Sequence, residues 1–236
     1  MRPSNATVLI TRPEPGASET AARVATLGLT PILSPVLSIQ PTTANLPSPS
    51  AIAAVLATSG NAVDALSPDW HTTRLLTVGD ATAARARAAG FRDVVSAAGN
   101  AEALAALVGR KLVPDAGSLL LASGLRQGQP LAIALRHSGY RVIRRVLYVA
   151  RPVPDLAPAA IAALHAGNVR AALFFSADTA QRFVRLVRRA GLASGLAGVE
   201  AISISRSAAV ALGALSWRDI RVAARPNQDE MLALLQ

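Results

Sequence analysis

The chain has 236 residues with 24 basic and 14 acidic side chains, a formal net charge of +10, and Lys111 is the one lysine among the basic residues. This length can hold two small domains, the absence of cysteine excludes disulfides, thiolate nucleophiles and cysteine-bound metals, and no 18-residue apolar stretch is present that could span a membrane. The arginine excess indicates either an anionic partner (nucleic acid, phosphate or carboxylate) or simply a solvated surface.

Short apolar runs alternate along the chain with alanine-rich helical stretches. The runs are mostly four to six residues long and do not alternate with polar residues, which is typical of strands buried on both faces of a parallel sheet. In chain order the predicted strands are Thr7–Thr11, Ile32–Leu33, Ala54–Thr58, Leu75–Val78, Val94–Ser96, Ser118–Ala122, Arg141–Val149, Ala171–Phe175, Ala201–Ser205 and Ile220–Ala223.

Helices are predicted between these strands, and Asp229 and Glu230 indicate the start of a final one. The predicted helices are Gly16–Leu27, Ala81–Ala89, Ala101–Arg110, Pro130–Ser138, Asp178–Arg189 and Ser207–Leu215. Alternation of strands and helices favours the α/β class.

Three segments of the first part of the chain resemble three later segments in the same order. The pairs begin at Val8 and Leu119, at Leu56 and Leu173, and at Val78 and Ile204. Three ordered matches indicate two copies of one α/β half. Two proline-rich segments, 34–49 and 151–158, are interpreted as connections between them, because proline ends helices and central strands.

Loops of small and hydroxyl residues follow several strands, beginning at Thr11, Thr58, Gly79, Ser123, Ser176 and Ser205. Parallel sheets bind ligands at the carboxyl ends of their strands, and helix N-termini there bind anions through backbone N–H groups. The alternative for each loop is an ordinary helix cap.

Standard catalytic and nucleotide motifs are absent: there is no P-loop, no GxGxxG and no GxSxG. His71, His137 and His165 have no partner at metal-ligand spacing, and the carboxylates are scattered. Few aromatic residues accompany the arginines, so nucleic-acid binding is weakly supported.

Taken in order, a set of motifs resembles the uroporphyrinogen-III synthase family over nearly the whole chain. They are VLITRPEPGASE, PVLSI, ATSGNAV, VGDATAARARAAGF, GNAEALAAL, LLLASG, GYRV with VLYVARP, ALFFSADTA and AARPNQDEMLALL. The resemblance implies an α/β fold of two similar flavodoxin-like parallel-sheet domains joined by two extended linkers. It implies residues 1–36 plus 153–236 as domain one, residues 40–149 as domain two, and residues 37–39 and 150–152 as linkers.

The resemblance also implies an activity. The family cyclises hydroxymethylbilane, a linear tetrapyrrole with eight carboxylates, to uroporphyrinogen III with inversion of ring D and loss of water, without cofactor or metal. We therefore expect a small-molecule substrate, no nucleic-acid or membrane partner, and a monomer. Met1 to Arg12 contains no apolar signal-peptide region, which predicts a cytoplasmic protein.

Site residues follow from the resemblance position by position. It implies Tyr148 as the catalytic residue, and it implies substrate binding by Ser59, Thr82 and Ser176. Ala177 and Ala208 depart from the family pattern, so Arg206 or Ser207 is expected to replace the threonine usual at 208. The candidate substrate-binding set, completed by other residues of the strand-end loops, is Arg12, Ser59, Gly79, Thr82, Ser123, Ser176, Ser205, Arg206 and Ser207.

Tyr148 and Tyr140 are the two tyrosines of the chain. A tyrosine with its usual pKa near 10 remains a proton donor at neutral pH, so Tyr148 could protonate the leaving hydroxyl group. The alternative is that its ring only fills space, and packing is expected to explain Tyr140. A second hypothesis for the whole chain is a two-lobed binding protein for an anionic small molecule, without catalysis.

Overall fold

The computed structural model describes residues 6–236, and the first five residues of the predicted domain 1–36 lie outside the described part. The chain divides into two compact units. The first unit comprises the described residues up to Ser38 together with Arg151–Gln236, and the second unit is Ile39–Ala150. The domain boundaries implied by the family remain a prediction.

Among residues 6–236, ten of the eleven strands agree with the predicted ones to within a few residues, and β3 was not predicted. They are β1 Thr7–Ile10, β2 Thr30–Leu33, β3 Leu37–Pro41, β4 Ile52–Ala57, β5 Leu75–Thr77, β6 Val94–Ser96, β7 Ser118–Gly124, β8 Val142–Pro152, β9 Val169–Phe174, β10 Glu200–Ser203 and β11 Asp219–Val222. The α-helices are α1 Gly16–Thr26, α2 Gly60–Asp64, α3 Asp80–Ala88, α4 Ala101–Lys111, α5 Gln129–His137, α6 Pro158–His165, α7 Ala177–Arg189, α8 Arg206–Leu212 and α9 Gln228–Ala233.

The first unit contains a five-stranded sheet with the spatial order β2-β1-β9-β10-β11, and each neighbouring pair is parallel. Counted along the chain within the unit, this is the order 2-1-3-4-5 of flavodoxin-like folds. The sheet is buried: β1 is inaccessible except at its first residue, and Leu173 and Ile202 of the neighbouring strands are fully buried. The predicted α/β class with parallel sheets is therefore confirmed.

The second unit contains a six-stranded sheet with the order β3-β8-β7-β4-β5-β6, in which the four pairings from β8 to β6 are parallel. If counting starts at β7, the strands β8-β7-β4-β5-β6 repeat the order 2-1-3-4-5. The repeated sequence segments thus occupy equivalent places in the two sheets: β1 and β7 correspond, as do β4 and β9, and β5 and β10.

Both faces of the second sheet are buried, as the non-alternating apolar runs predicted. Val55 and Leu120 belong to one hydrophobic cluster, whereas their chain neighbours Leu56 and Leu121 belong to another. Successive residues of a strand point to opposite faces, so a sheet with helices on both sides needs apolar residues at every position.

The proline-rich segments are more regular than the sequence indicated. Within 34–49, Leu37–Pro41 forms strand β3 at the edge of the second sheet, where the missing N–H of a proline is tolerated. Within 151–158, strand β8 continues to Pro152, and Pro158 is the first residue of α6, where its fixed φ suits a helix start. The predicted linkers 37–39 and 150–152 consequently lie within β3 and β8.

Candidate functional site

Tyr148 lies near the end of β8 in the second unit, and a local irregularity directs it. Ser123 pairs with Val146, but the next residue of β7, Gly124, pairs with Tyr148, so that β8 contains one extra residue at Leu147. A bulge of this kind reorients the side chains that follow it. Leu147 and Tyr148 are in consequence both buried in the same hydrophobic cluster.

The Tyr148 ring occupies the space that a side chain at position 124 would need. A Cβ atom on Gly124 would lie 2.7 Å from Cζ of Tyr148. The hydroxyl group donates a hydrogen bond of 2.8 Å to Oε1 of Gln127. Only 3% of Tyr148 is exposed, so its phenol is a polar group at the end of an otherwise apolar environment.

Three polar side chains surround the phenol oxygen. Burial raises the pKa of Tyr148 above its usual value near 10, and hydrogen bonds with Ser59, Asn61 and Gln127 act in the opposite direction. The effect of burial on the pKa is larger than that of the hydrogen bonds, so the phenol holds its proton throughout the neutral range. This arrangement can supply a proton and then stabilise the oxygen that has lost it.

Ser59 follows β4 and is the N-cap of α2. Its hydroxyl oxygen accepts a hydrogen bond of 3.2 Å from the backbone N–H of Asn61, and its backbone is extended, as helix caps usually are. Ser59 is therefore both a helix cap and a neighbour of the Tyr148 phenol. The structure thus shows Ser59 as a helix cap, and its part in substrate binding stays a prediction.

The other candidate residues of the second unit lie after β5 and near the end of β7. Gly79 is the N-cap of α3, and Thr82 is half-buried in the first turn of that helix. Ser123 is fully buried and donates a hydrogen bond of 3.4 Å to the carbonyl of Arg145, so it holds β7 to β8. Ser59, Gly79, Ser123 and Tyr148 thus lie at the carboxyl ends of adjacent strands.

In the first unit, Arg12 follows β1 and is held by several contacts. Its guanidinium lies over the ring of Phe175, 4.3 Å from the ring centroid, and donates hydrogen bonds of 3.3 Å to Thr20 and 3.2 Å to Gln228. Gly16 leaves room for it, because a Cβ there would lie 2.4 Å from the guanidinium. A cation fixed in this way is suited to binding a carboxylate.

Ser176 and Ser205 are the N-caps of α7 and α8. Ser176 accepts from the backbone N–H of Thr179 at 3.1 Å, and Ser205 accepts from that of Ala208 at 3.4 Å. Ser207 is exposed with its hydroxyl 3.0 Å from that of Ser205, and Arg206 is exposed. The hydroxyl groups of both caps are engaged by their own helices, so their part in substrate binding stays a prediction.

Sequence reasoning missed Gln127 and did not include Asn61 or Gln228 among the candidate residues. Asn61 carried a signal, since it lies in the loop that begins at Thr58. Gln127 carried none, because its contact with Tyr148 depends on the irregular pairing of β7 with β8. Gln228 is the first residue of α9 and meets Arg12 from the far end of the chain.

Two cavities, one in each unit, lie away from these residues. One of about 490 Å³ is lined by Thr7, Val169 and Arg218 in the first unit, and one of about 580 Å³ is lined by Ile52 and Arg74 in the second. Both lie at the amino ends of strands, the edge opposite to the one where parallel sheets bind ligands.

Residues 6–236 contain no group of three or more histidine, aspartate or glutamate side chains that could hold a metal ion. None of their helices combines the length and the apolar character that crossing a membrane requires.

Comparison with known proteins decides the family. The sequence model described as "Uroporphyrinogen-III synthase HemD" matches residues 18–233. The chain belongs to the uroporphyrinogen-III synthase family. The match confirms the resemblance found in the sequence. Members of this family are cyclising lyases of tetrapyrrole biosynthesis, so the hypothesis of a binding protein without catalysis is not favoured. Comparison with curated protein sequences gives no match.

Solved structures agree on the fold. The crystal structure of uroporphyrinogen-III synthetase from Helicobacter pylori is similar, with 17% identity, 98% of each chain covered and a TM-score of 0.63. A mutant uroporphyrinogen III synthase from Thermus thermophilus is also similar, with 21% identity, 98% of this chain and 97% of that chain covered, and a TM-score of 0.53.

Proposed function

We propose that this uroporphyrinogen-III synthase family member cyclises hydroxymethylbilane with Tyr148 as the general acid of the first step. The observation that carries the assignment is the phenol of Tyr148, buried in an apolar cluster yet hydrogen-bonded at its hydroxyl to Gln127 at 2.8 Å. Tyr140 is also buried and hydrogen-bonded, but it precedes β8, whereas Tyr148 lies towards the carboxyl end of that strand, the edge at which parallel sheets bind ligands.

The first step breaks the bond between carbon and oxygen in the hydroxymethyl group of the substrate. The pyrrole nitrogen supplies the electron pair, the leaving oxygen takes the Tyr148 proton, and water departs. A cationic pyrrole and a tyrosine phenolate remain. The phenolate regains a proton when the ring-closed intermediate loses one, so Tyr148 ends the cycle as it began.

Burial raises the pKa of Tyr148, so the phenol is protonated at neutral pH. A phenol that stays protonated at neutral pH is available as an acid in every enzyme molecule. Its neighbours Ser59 and Asn61 stand beside the oxygen that becomes negative, where hydrogen-bond donors stabilise the developing charge.

The carboxylates of the substrate need cationic and N–H partners, and both units contain them. We assign a carboxylate to Arg12, and we assign the half-buried Thr82 and the loops at Gly79, Ser123, Ser176, Ser205, Arg206 and Ser207 to substrate binding. The engagement of Arg12 with Phe175, Thr20 and Gln228 supports the first assignment, because its guanidinium is already oriented before any ligand binds.

A cytoplasmic location and a monomeric state, both expected from the sequence, remain part of this proposal. The monomer is tested by measuring the mass in solution over a hundredfold range of concentration. A mass that doubles within that range contradicts it.

Tyr148→Phe tests the proposal directly. We expect turnover of hydroxymethylbilane to fall roughly 10- to 1,000-fold while the fold and substrate affinity persist. The product should contain more of the non-inverted macrocycle, because free hydroxymethylbilane closes on its own.

Tyr140→Phe is the matched control. Tyr140 is also buried, and its hydroxyl donates a hydrogen bond of 2.8 Å to the carbonyl of Leu112. Its loss should lower stability by about 1 kcal/mol and leave turnover unchanged. Wild-type turnover by Tyr148→Phe would show that Tyr148 is not the acid.

A further inference from the structure

Gln127 lies in a short loop, residues 125–128, whose backbone is held at several points. The loop N–H of Gln127 donates to the carbonyl of Gly124 at 3.1 Å, and its carbonyl accepts from Nε of Arg144 at 2.8 Å. Arg126 and Gly128, on either side of it, have φ values of 63° and 74°. A non-glycine residue with positive φ is uncommon, which indicates that the loop is held in this shape by its surroundings.

The side chain of Gln127 is directed by this loop onto one atom. Its Oε1 accepts the 2.8 Å hydrogen bond from the Tyr148 hydroxyl, although Gln127 itself is exposed. Gly124 leaves the space in which both the ring and this oxygen lie, because a Cβ there would be 2.7 Å from Cζ of Tyr148 and 2.9 Å from Oε1 of Gln127. The ring is thus located by packing, and its hydroxyl group is located by an amide.

We propose that Gln127 is a positioning residue for Tyr148: its amide accepts from the phenol and, after turning about its last bond, donates an N–H to the phenolate. This inference rests on the proposed role of Tyr148. The phenol has one proton, so its O–H turns from Oε1 of Gln127 to the substrate oxygen before that proton is transferred, and no bond between heavy atoms of the protein forms or breaks.

The chemistry of the amide explains why this position carries glutamine. A primary amide contains both an acceptor oxygen and two donor hydrogens. Glutamate at the same length could only accept, and methionine, which has a similar length, could do neither to a useful extent. Hydrogen bonds to a charged oxygen are about twice as strong as those between neutral groups, so the contact is worth most after proton transfer.

Two substitutions separate the accepting and the donating function of the Gln127 amide. Gln127→Met removes both, and we expect it to slow single turnover of bound substrate about 10-fold, less than the usual contribution of a general acid because Tyr148 itself is kept. Gln127→Glu keeps the acceptor and adds a negative charge beside the future phenolate, so single turnover of bound substrate should also be slow. Gln129→Met is the matched control, since Gln129 is exposed two residues away and should turn over like wild type.

A double-mutant cycle distinguishes this inference from the proposed function. In a Tyr148→Phe background, Gln127→Met should cost less than about twofold, because the hydroxyl it serves is gone. An equal cost in both backgrounds, or wild-type turnover by Gln127→Met, would overturn the inference. Wild-type turnover by Tyr148→Phe alone would instead overturn the role of Tyr148.

A second experiment measures the ionisation of Tyr148 directly, without turnover of substrate. The chain has two tyrosines, so 13C-labelling at Cζ gives two resonances that Tyr140→Phe assigns. Gln127→Met should raise the pKa of Tyr148 further, because the phenolate loses a donor, and should leave the Tyr140 resonance in place. An unchanged Tyr148 titration would overturn the inference.

Discussion

Gly124 and Tyr148 are partners across β7 and β8, and the ring of Tyr148 fills the place of the side chain that Gly124 lacks. A Cβ atom there would lie 2.7 Å from Cζ and 2.8 Å from Cε2, distances that real contacts do not show. The glycine is therefore required by close approach of an aromatic ring.

Gly124→Ala should displace the Tyr148 ring. We expect a loss of about 1–3 kcal/mol in unfolding free energy, typical of overpacking, together with reduced turnover. Gly109→Ala is the control, because no atom lies within 4 Å of its added Cβ in α4, and alanine there should stabilise by roughly 0.5–1 kcal/mol. Denaturant titration measures both. Equal stability of the two variants would show that the ring adjusts freely.

The pH dependence of stability should reflect Tyr148. Its pKa is raised in the folded protein, so between about 10 and the raised value the folded state binds more protons than the unfolded state. The stabilisation is complete below about pH 10 and is lost as the pH rises further. Comparison of wild type with Tyr148→Phe from pH 8 to 11 tests this. Parallel curves across that range would contradict the raised pKa.

Arg12→Lys should weaken substrate binding although the charge is kept. Lysine loses the planar contact with Phe175 and the fixed geometry of the guanidinium, and such a loss of about 1 kcal/mol corresponds to roughly fivefold in KM. Arg110→Lys, an exposed position at the end of α4, is the control for charge-preserving substitution. Steady-state kinetics measure KM for both variants. An unchanged KM for Arg12→Lys would remove Arg12 from the binding set.

The serine caps should contribute modestly to both stability and turnover. Ser59→Ala and Ser176→Ala each remove an acceptor from a helix N-terminus, and each should cost about 1 kcal/mol in unfolding free energy. Their effect on transition-state stabilisation should stay within roughly 0.5–2 kcal/mol. Asn100→Ala, which uncaps α4, should cost similar stability and no activity. Complete inactivity of either serine variant, with the fold intact, would show that one hydroxyl group dominates.

The sequence by itself determined the class of fold and the repeated pattern within it. Uninterrupted apolar runs such as those around Val55 and Leu120 require burial on both faces, and this requirement is local enough to be read from the residues. The ordered repeat predicted two equivalent halves, and the repeated segments do occupy equivalent strands in the two sheets. The prolines of β3 and α6 were wrongly taken as signs of irregular connections. Proline is tolerated at a sheet edge and at a helix start, because no neighbouring group there needs the N–H that proline lacks.

Tertiary structure alone decided how the candidate site is assembled. The sequence indicated Tyr148 and Ser59, but the extra residue at Leu147 is what places Tyr148 opposite Gly124. The contact with Gln127 then depends on strand pairing between residues 21 positions apart, and that of Arg12 with Gln228 on residues 216 apart. Register is set by the packing of whole side-chain layers, so no local pattern contains it.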